Sequence, residues 1–332
     1  MKIRKLRKKT STLLMTCFSR RPMRVHFQKE IYKVILLGLV VFLVSTVPAL
    51  AEKGGDYKQR KNISLTALAV HQFNSDLDKG GDVRVNRYFF QFEWNKRISN
   101  KVYAGVVAQY NLHDYSFSES ASLWENKIFE KVHSLGLGIK FMYAIDKDWK
   151  IFIVPIVEFS GESEAKLNDS LIYGGIAATA YRVSPDLSIG AGVGIFSRLE
   201  ELSVFPMIVI DWKITEKLKL SNPFRGGPSG PAGLELSYSL NKNWEVGIGG
   251  AYRSFRFRLN DEGTASNGIF QDRSVPAWGR LSWDSGSKVK IDFNAGAFIA
   301  GKMKIEDPDG NEITEDDYNT APFVALTVSV HF

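Results

Sequence analysis

One local pattern recurs along this chain and governs what it can fold into. An apolar residue is followed by two to four turn-forming residues, then by an apolar or aromatic residue that starts a new alternation. It occurs as Ile98-Ser99-Asn100-Lys101-Val102, Ile145-Asp146-Lys147-Asp148-Trp149 and Val183-Ser184-Pro185-Asp186-Leu187. It returns as Ile214-Thr215-Glu216-Lys217-Leu218 and Leu240-Asn241-Lys242-Asn243-Trp244, with a longer version from Trp283 to Val289. Between these tight turns the chain runs out and back through polar loops near 74–82, 114–131, 160–169, 197–202, 221–232, 259–268 and 302–320. Six turns and seven loops make thirteen connections, which predicts an all-β, up-and-down antiparallel meander of fourteen strands. The strands flanking Ser221–Ala232 are short, and without that pair the count is twelve.

The N-terminal segment must be set apart before charge means anything. Residues 34–44 are an unbroken apolar run, preceded by Lys29 and Lys33 and followed by Ala49-Leu50-Ala51, a small-x-small site. The run is too short for a membrane helix and has the layout of a secretory signal peptide. Cleavage after Ala51 is expected, leaving residues 52–332 as one domain. The long basic stretch before it suggests Met23 as the true start, an expectation that precursor peptides upstream of Met23 would exclude. Residues 1–51 carry 11 of the 43 basic and 1 of the 36 acidic side chains, so the mature chain has a net charge of −3. The basic balance belongs to the export segment, and nucleic acid is not an expected partner. Cys17, the only cysteine, leaves with it, so neither disulfides nor thiol chemistry are expected.

An even strand count with short turns at one end and long loops at the other describes a closed transmembrane β-barrel, and the strand faces agree. In 289–302, Val289, Ile291, Phe293, Ala295, Ala297 and Ile299 oppose Lys290, Asp292, Asn294, Gly296 and Lys302, with Phe298 the exception. In 187–195 four apolar residues and Ala191 oppose Ser188, Gly190, Gly192 and Gly194. A face of glycine and charge makes a poor soluble core and suits the inside of a barrel. Trp94, Tyr143, Trp149, Tyr181, Trp212, Tyr238, Trp244 and Trp283 all lie close to tight turns, as an aromatic girdle at headgroup level requires. Because unpaired backbone is costly in hydrocarbon, strand 1 (about 62–73) must pair with strand 14 (about 322–332). That last strand alternates Val324, Leu326, Val328, Val330 and Phe332 with small or polar residues. An apolar strand ending in Phe332 resembles the signal read by the outer-membrane assembly machinery, although Val330 stands where an aromatic is usual.

Residues 222–258 carry a further resemblance: Asn222-Pro223, the glycine-proline stretch to Gly233, then Leu234-Glu235-Leu236-Ser237-Tyr238 and Gly249-Gly250-Ala251-Tyr252-Arg253. The chain resembles an uncharacterised family of outer-membrane β-barrels, domain of unknown function 6268. The resemblance implies a barrel in a Gram-negative outer membrane, with outer-membrane lipid and lipopolysaccharide around it. It brings no cofactor, substrate or catalytic residue.

Glu158, Asp211, Glu235, Glu245, Arg253, Arg280, Lys290 and Asp292 are expected to line the lumen, together with Lys140, Lys150 and Lys213. They predict either a pore that filters small solutes by charge or compensating pairs that fill the barrel. Asn222–Gly233, with three prolines and four glycines, is read as a structured loop that folds inward as a constriction, with a plain surface loop as the alternative. Asp307-Pro308-Asp309-Gly310-Asn311-Glu312 begins like a calcium loop, but Glu312 replaces the required glycine and Tyr318 the bidentate glutamate. A Pro-Asp-Gly turn explains it as well. No nucleophile motif accompanies His71, His113, His133 or His331, and His133 and Ser134 point to opposite strand faces. No metal spacing or nucleotide loop is read. The expectation is a porin-like barrel for small solutes and not an enzyme; a partner-binding barrel without transport is the alternative.

Overall fold

The computed structural model describes residues 62–118, 129, 131–223, 233–262 and 265–332. The expected signal peptide and most of the glycine-proline segment lie outside the described residues. In chain order the strands are β1 (Ile63–Asp76), β2 (Asp82–Arg97), β3 (Val102–Phe117), β4 (Lys131–Ala144), β5 (Trp149–Glu162) and β6 (Leu171–Ser184). They continue as β7 (Leu187–Arg198), β8 (Glu201–Lys213), β9 (Leu218–Ser221), β10 (Gly233–Ser239), β11 (Trp244–Ala251) and β12 (Arg253–Arg258). The last are β13 (Ile269–Asp284), β14 (Val289–Glu306), β15 (Glu312–Tyr318) and β16 (Ala321–His331). β11 and β12 both pair with β13 and are one strand interrupted at Tyr252, and β15 and β16 both pair with β14 in the same way. The result is a fourteen-strand up-and-down barrel. β1 pairs antiparallel with β16 from Ser64↔His331 to Gln72↔Phe323, which closes the ring as backbone pairing requires.

The tight turns share one local device. The Ser99 hydroxyl accepts the N–H groups of Lys101 and Val102, and Asp146 accepts those of Asp148 and Trp149. Thr215 does the same for Lys217 and Leu218, Asn241 for Asn243 and Trp244, and Ser285 for Ser287, Lys288 and Val289. A short polar side chain thus takes up the amides that the hairpin ladder cannot reach. Those two amides hold the Asp146 carboxyl below the usual carboxylate range. The short pair flanking the glycine-proline segment forms after all. β9 has only four residues, and the Asn222 side chain extends its rung. It accepts from Ile210 N at 2.7 Å and donates to the carbonyls of Ile208 and Gly233, both at 2.9 Å.

Register places the aromatics side by side just beyond the turns. Trp149 faces Tyr181, Trp244 faces Trp283, Leu187 faces Trp212 and Val102 faces Tyr143, all on the outer surface. Between this ring and a looser one containing Phe73, Tyr173 and Tyr252, the exterior is leucine, isoleucine, valine and phenylalanine, many of them well exposed. Close strand contact uses the inward glycines. A methyl group at Gly190 would overlap the Thr179 carbonyl, and one at Gly194 would overlap the Phe205 ring.

Three expectations need correction at the loop end. The segment 302–320 is mostly strand, with its connection reduced to residues 307–311. The segment 197–202 is a two-residue turn whose Leu199 and Glu200 have φ of 47° and 67°, the left-handed pair of a tight hairpin. The Leu199 side chain is buried with Ile172 and Ile269, which holds this strained conformation. Lys302, expected inside, lies outside. A bulge between Arg273 and Val275 shifts the register of β13 against β14, so Met303 and Ile305 turn inward instead.

Candidate functional site: the barrel interior

The interior has two halves of opposite character. At the loop end it is a packed core. Val83, Val85, Tyr115, Phe257, Phe270, Met303, Ile305 and Phe323 are all at most 1% exposed. The expectation that large apolar residues point only outward therefore fails here, because the strands run past the apolar belt and fold together as a soluble protein would. Phe298, the sequence exception, belongs to this core and packs on Phe323 at 4.7 Å.

An ion pair is buried in that core. Arg87 donates to Asp272 at 2.7 Å with both side chains 1% exposed. Gln72 accepts a second hydrogen bond from Arg87 at 2.7 Å, and the Tyr115 and Tyr318 hydroxyls donate to Asp272. The guanidinium also lies 4.9 Å from the Phe298 ring centre and 5.6 Å from that of Phe255.

Above it, β12 leaves the wall and crosses the mouth, reaching β5 at Arg258↔Gly161. Two arginines fasten it. Arg256 donates to the carbonyls of Arg198 and Leu199 and pairs with Glu201 and the buried Glu306. Arg258 donates to the carbonyls of Asp169 and Asn267, at 2.7 and 2.9 Å, and to Glu200 at 3.1 Å. Glu162 accepts the amide of Asn260. The β12–β13 hairpin is thus tied to three neighbouring connections.

At the tight-turn end the interior is polar and holds a cavity of about 550 Å³. Arg280 organises its wall on β10–β14, donating to Glu235 at 2.8 Å, Glu245 at 2.6 Å and Asp292 at 3.2 Å. Trp278 Nε1 donates to the same Glu235 at 3.0 Å. Asp211 pairs with Lys219 at 2.9 Å. Lys290 stands 3.9 Å from Asp292. Glu158 lies further in and accepts from Gln109 at 3.0 Å. Arg253 sits over the Phe255 ring at 5.2 Å and belongs to the upper half. Lys140 pairs with Glu93 at 2.7 Å.

Of the eight residues named from alternation, Asp211, Glu235, Glu245, Arg280 and Lys290 line this cavity. The structure brings Glu235, Glu245, Arg280 and Asp292 into one cluster and leaves Glu158 and Arg253 apart from it. Arg182 and Lys219, which line the same cavity, were not named from the sequence, although alternation carries the signal, since Tyr181 and Leu220 beside them point outward. Arg256 and Arg258 left a different trace: two arginines on what would be a lipid face, where each would cost about 2–4 kcal/mol at mid-membrane.

His71 and His133 face outward, bonded to Asn86 and to Tyr110. Asp307 accepts the Asn311 backbone and side-chain N–H groups, which hold its carboxyl below the usual range. The inward constriction read for Asn222–Gly233 falls largely outside the described residues.

Apolar outside along its belt, polar within at the tight-turn end and closed around its whole circumference, the chain is an antiparallel barrel of the kind that lipid can surround. It belongs to the family described as Domain of unknown function (DUF6268), which matches residues 74–332. No curated protein matches the sequence. Among solved structures it is similar to an outer-membrane channel from Pseudomonas putida F1, at 8% identity over 84% of this chain and 99% of that one, TM-score 0.47. It is also similar to the P. putida toluene transporter TodX, at 10% identity over 82% and 91% of the two chains, TM-score 0.40. The NanC porin shows 10% identity over 81% and 100%, TM-score 0.38. These are likenesses of barrel outline alone.

Proposed function

We propose that this chain is an outer-membrane barrel that admits small polar solutes, with its tight turns toward the periplasm and residues 1–51 removed as a signal peptide. The observation that carries this reading is a polar, charge-lined cavity inside a barrel whose exterior is an aromatic-edged apolar belt. In water such an exterior would drive aggregation; in a bilayer it is the stable arrangement. Glu158, Asp211, Glu235, Glu245, Arg253, Arg280, Lys290 and Asp292 form the polar lining of the path. The packed loop end makes the described state a closed one. Its polar fastening through Arg256 and Arg258 makes the hairpin the element that must move for passage. Phe332, on the outer face beside Ile63 at the seam, serves as the assembly signal.

The test is single-channel recording of purified protein in planar bilayers. Brief, discrete openings are expected from the native chain, and openings at least tenfold longer from the Arg256→Ser/Arg258→Ser variant. Silence from both would overturn transport and favour a barrel whose loop end binds a partner. That second reading draws on the charged outer ladder of Lys302, Arg273, Glu315 and Asp317 beyond the apolar belt.

A further inference from the structure

The cavity at the tight-turn end is electrically two-sided. Lys150 on β5 and Arg182 on β6 line one wall, and among the described residues neither has a carboxylate partner. Asp148 stands beside them at the rim but lies 3.8 Å from Lys147, on the turn. The facing wall is built by β10, β11, β13 and β14. There Glu235, Glu245 and Asp292 surround Arg280, whose side chain is only 5% exposed, while Glu245 keeps 31% of its own surface open. Lys290, near Asp292, leaves this wall with one more carboxylate than cations. Asp211 and Lys219, between the two walls, neutralise each other. In a ring of fourteen strands, β5–β6 and β10–β14 lie about half-way round from one another. Two cations therefore face a part-exposed carboxylate, Glu245, which Arg280 holds at 2.6 Å, across one shared space.

Such a field orients and selects by dipole. A solute with a single charge gains at one wall only, whereas one bearing a carboxylate and an ammonium group satisfies both. The low dielectric of the surrounding protein makes both contacts stronger than in water. We propose that this cavity is a binding site for small zwitterions, of which short peptides and amino-acid-like solutes are the chemical class. The carboxylate is held by Lys150 and Arg182, and the ammonium by Glu245 with Glu235 and Asp292 behind it. This rests on the reading of the interior as a compartment for small polar solutes and names what that compartment prefers.

The experiment is isothermal titration of the detergent-purified barrel with dialanine, N-acetyl-dialanine (anion only) and dialanine amide (cation only). Dialanine is expected to bind at least tenfold tighter than either analogue. In Lys150→Gln/Arg182→Gln that advantage over the amide disappears while the amide binds as before. In Glu245→Gln the advantage over the N-acetyl form disappears. Among the described residues neither Lys150 nor Arg182 holds an ion pair, so their replacement is expected to leave the barrel folded. Unaltered heat-modifiable electrophoretic mobility verifies this. Equal affinity for all three probes, no binding by any of them, or a preference that survives both variants overturns the proposal. Binding with silent bilayers would keep this site and remove transport; conduction without charge discrimination would do the reverse.

Discussion

At the scale of single residues, the Arg87–Asp272 pair has the most at stake. Both groups are dry, so removing one leaves an uncompensated buried charge, at about 3–5 kcal/mol, whereas replacing both by apolar groups is close to neutral. Arg87→Leu alone should therefore lower the urea unfolding midpoint far more than Arg87→Leu/Asp272→Leu. Equal losses would show that the aromatic packing around the pair, and not its charge balance, sets stability. The pair was illegible in the sequence because its members lie 185 positions apart, and alternation gives a side chain's face but neither its depth nor its partner. Asp307 is a milder case, on the surface of a turn. Its carboxyl is depressed, so the turn is held above the ordinary aspartate value of about 3.9 and released only as pH falls through the lower folded value. The Asn311 side-chain amide resonance should titrate with a midpoint below that ordinary value. A midpoint at or above it would mean that the Asn311 contacts are absent in solution.

At the scale of elements, turns were more legible than strand ends. The six tight turns could be read because each needs a short polar side chain at a fixed place, as Ser99, Asp146 and Asn241 show. The β14–β15 hairpin was mistaken for a loop because its charges, Lys302, Lys304, Glu315 and Asp317, sit on the outer face and its Met303, Ile305 and Tyr318 on the inner one. That is the polarity of a soluble sheet, the reverse of the rule that held lower down. Its outer pairs are part-exposed and should matter little. Glu306, 3% exposed and joined to Arg256 and Lys304, belongs to the buried fastening of β12. Glu315→Ala is expected to change stability by about 1 kcal/mol or less, and Glu306→Ala by about 3 kcal/mol. Comparable effects in the two variants, measured by chemical denaturation in vesicles, would mean that β12 is not locked to this wall.

At the scale of the whole molecule, one sheet obeys two solvents. Where the exterior meets lipid, the inner face can be glycine and charge, and the strands approach closely enough that Gly190 admits no side chain. Where the strands rise beyond the belt, the apolar residues move inside and the mouth fills. The sequence carries both patterns, but the changeover happens at bulges and positive-φ positions such as Ala300, which alternation cannot locate. What unites the halves is closure. The first and last strands meet across the entire chain, with Thr66 bonded to Ser329, 263 positions away. Within that seam β16 is paired on both sides, to β1 and to β14, so each of its interior amides is committed to one neighbour. A proline there removes one rung, and in hydrocarbon the orphaned carbonyl costs several kcal/mol with no water to relieve it. Leu326→Pro points its ring outward into the apolar belt, so sterics inside the barrel are untouched and only the rung is lost. The variant should fail to give the compact, heat-sensitive band of a folded barrel. Leu326→Ala, which keeps the rung and loses only lipid contact, should give it at near-native yield. If the proline variant folds as well as the alanine one, the seam is not what holds the barrel shut.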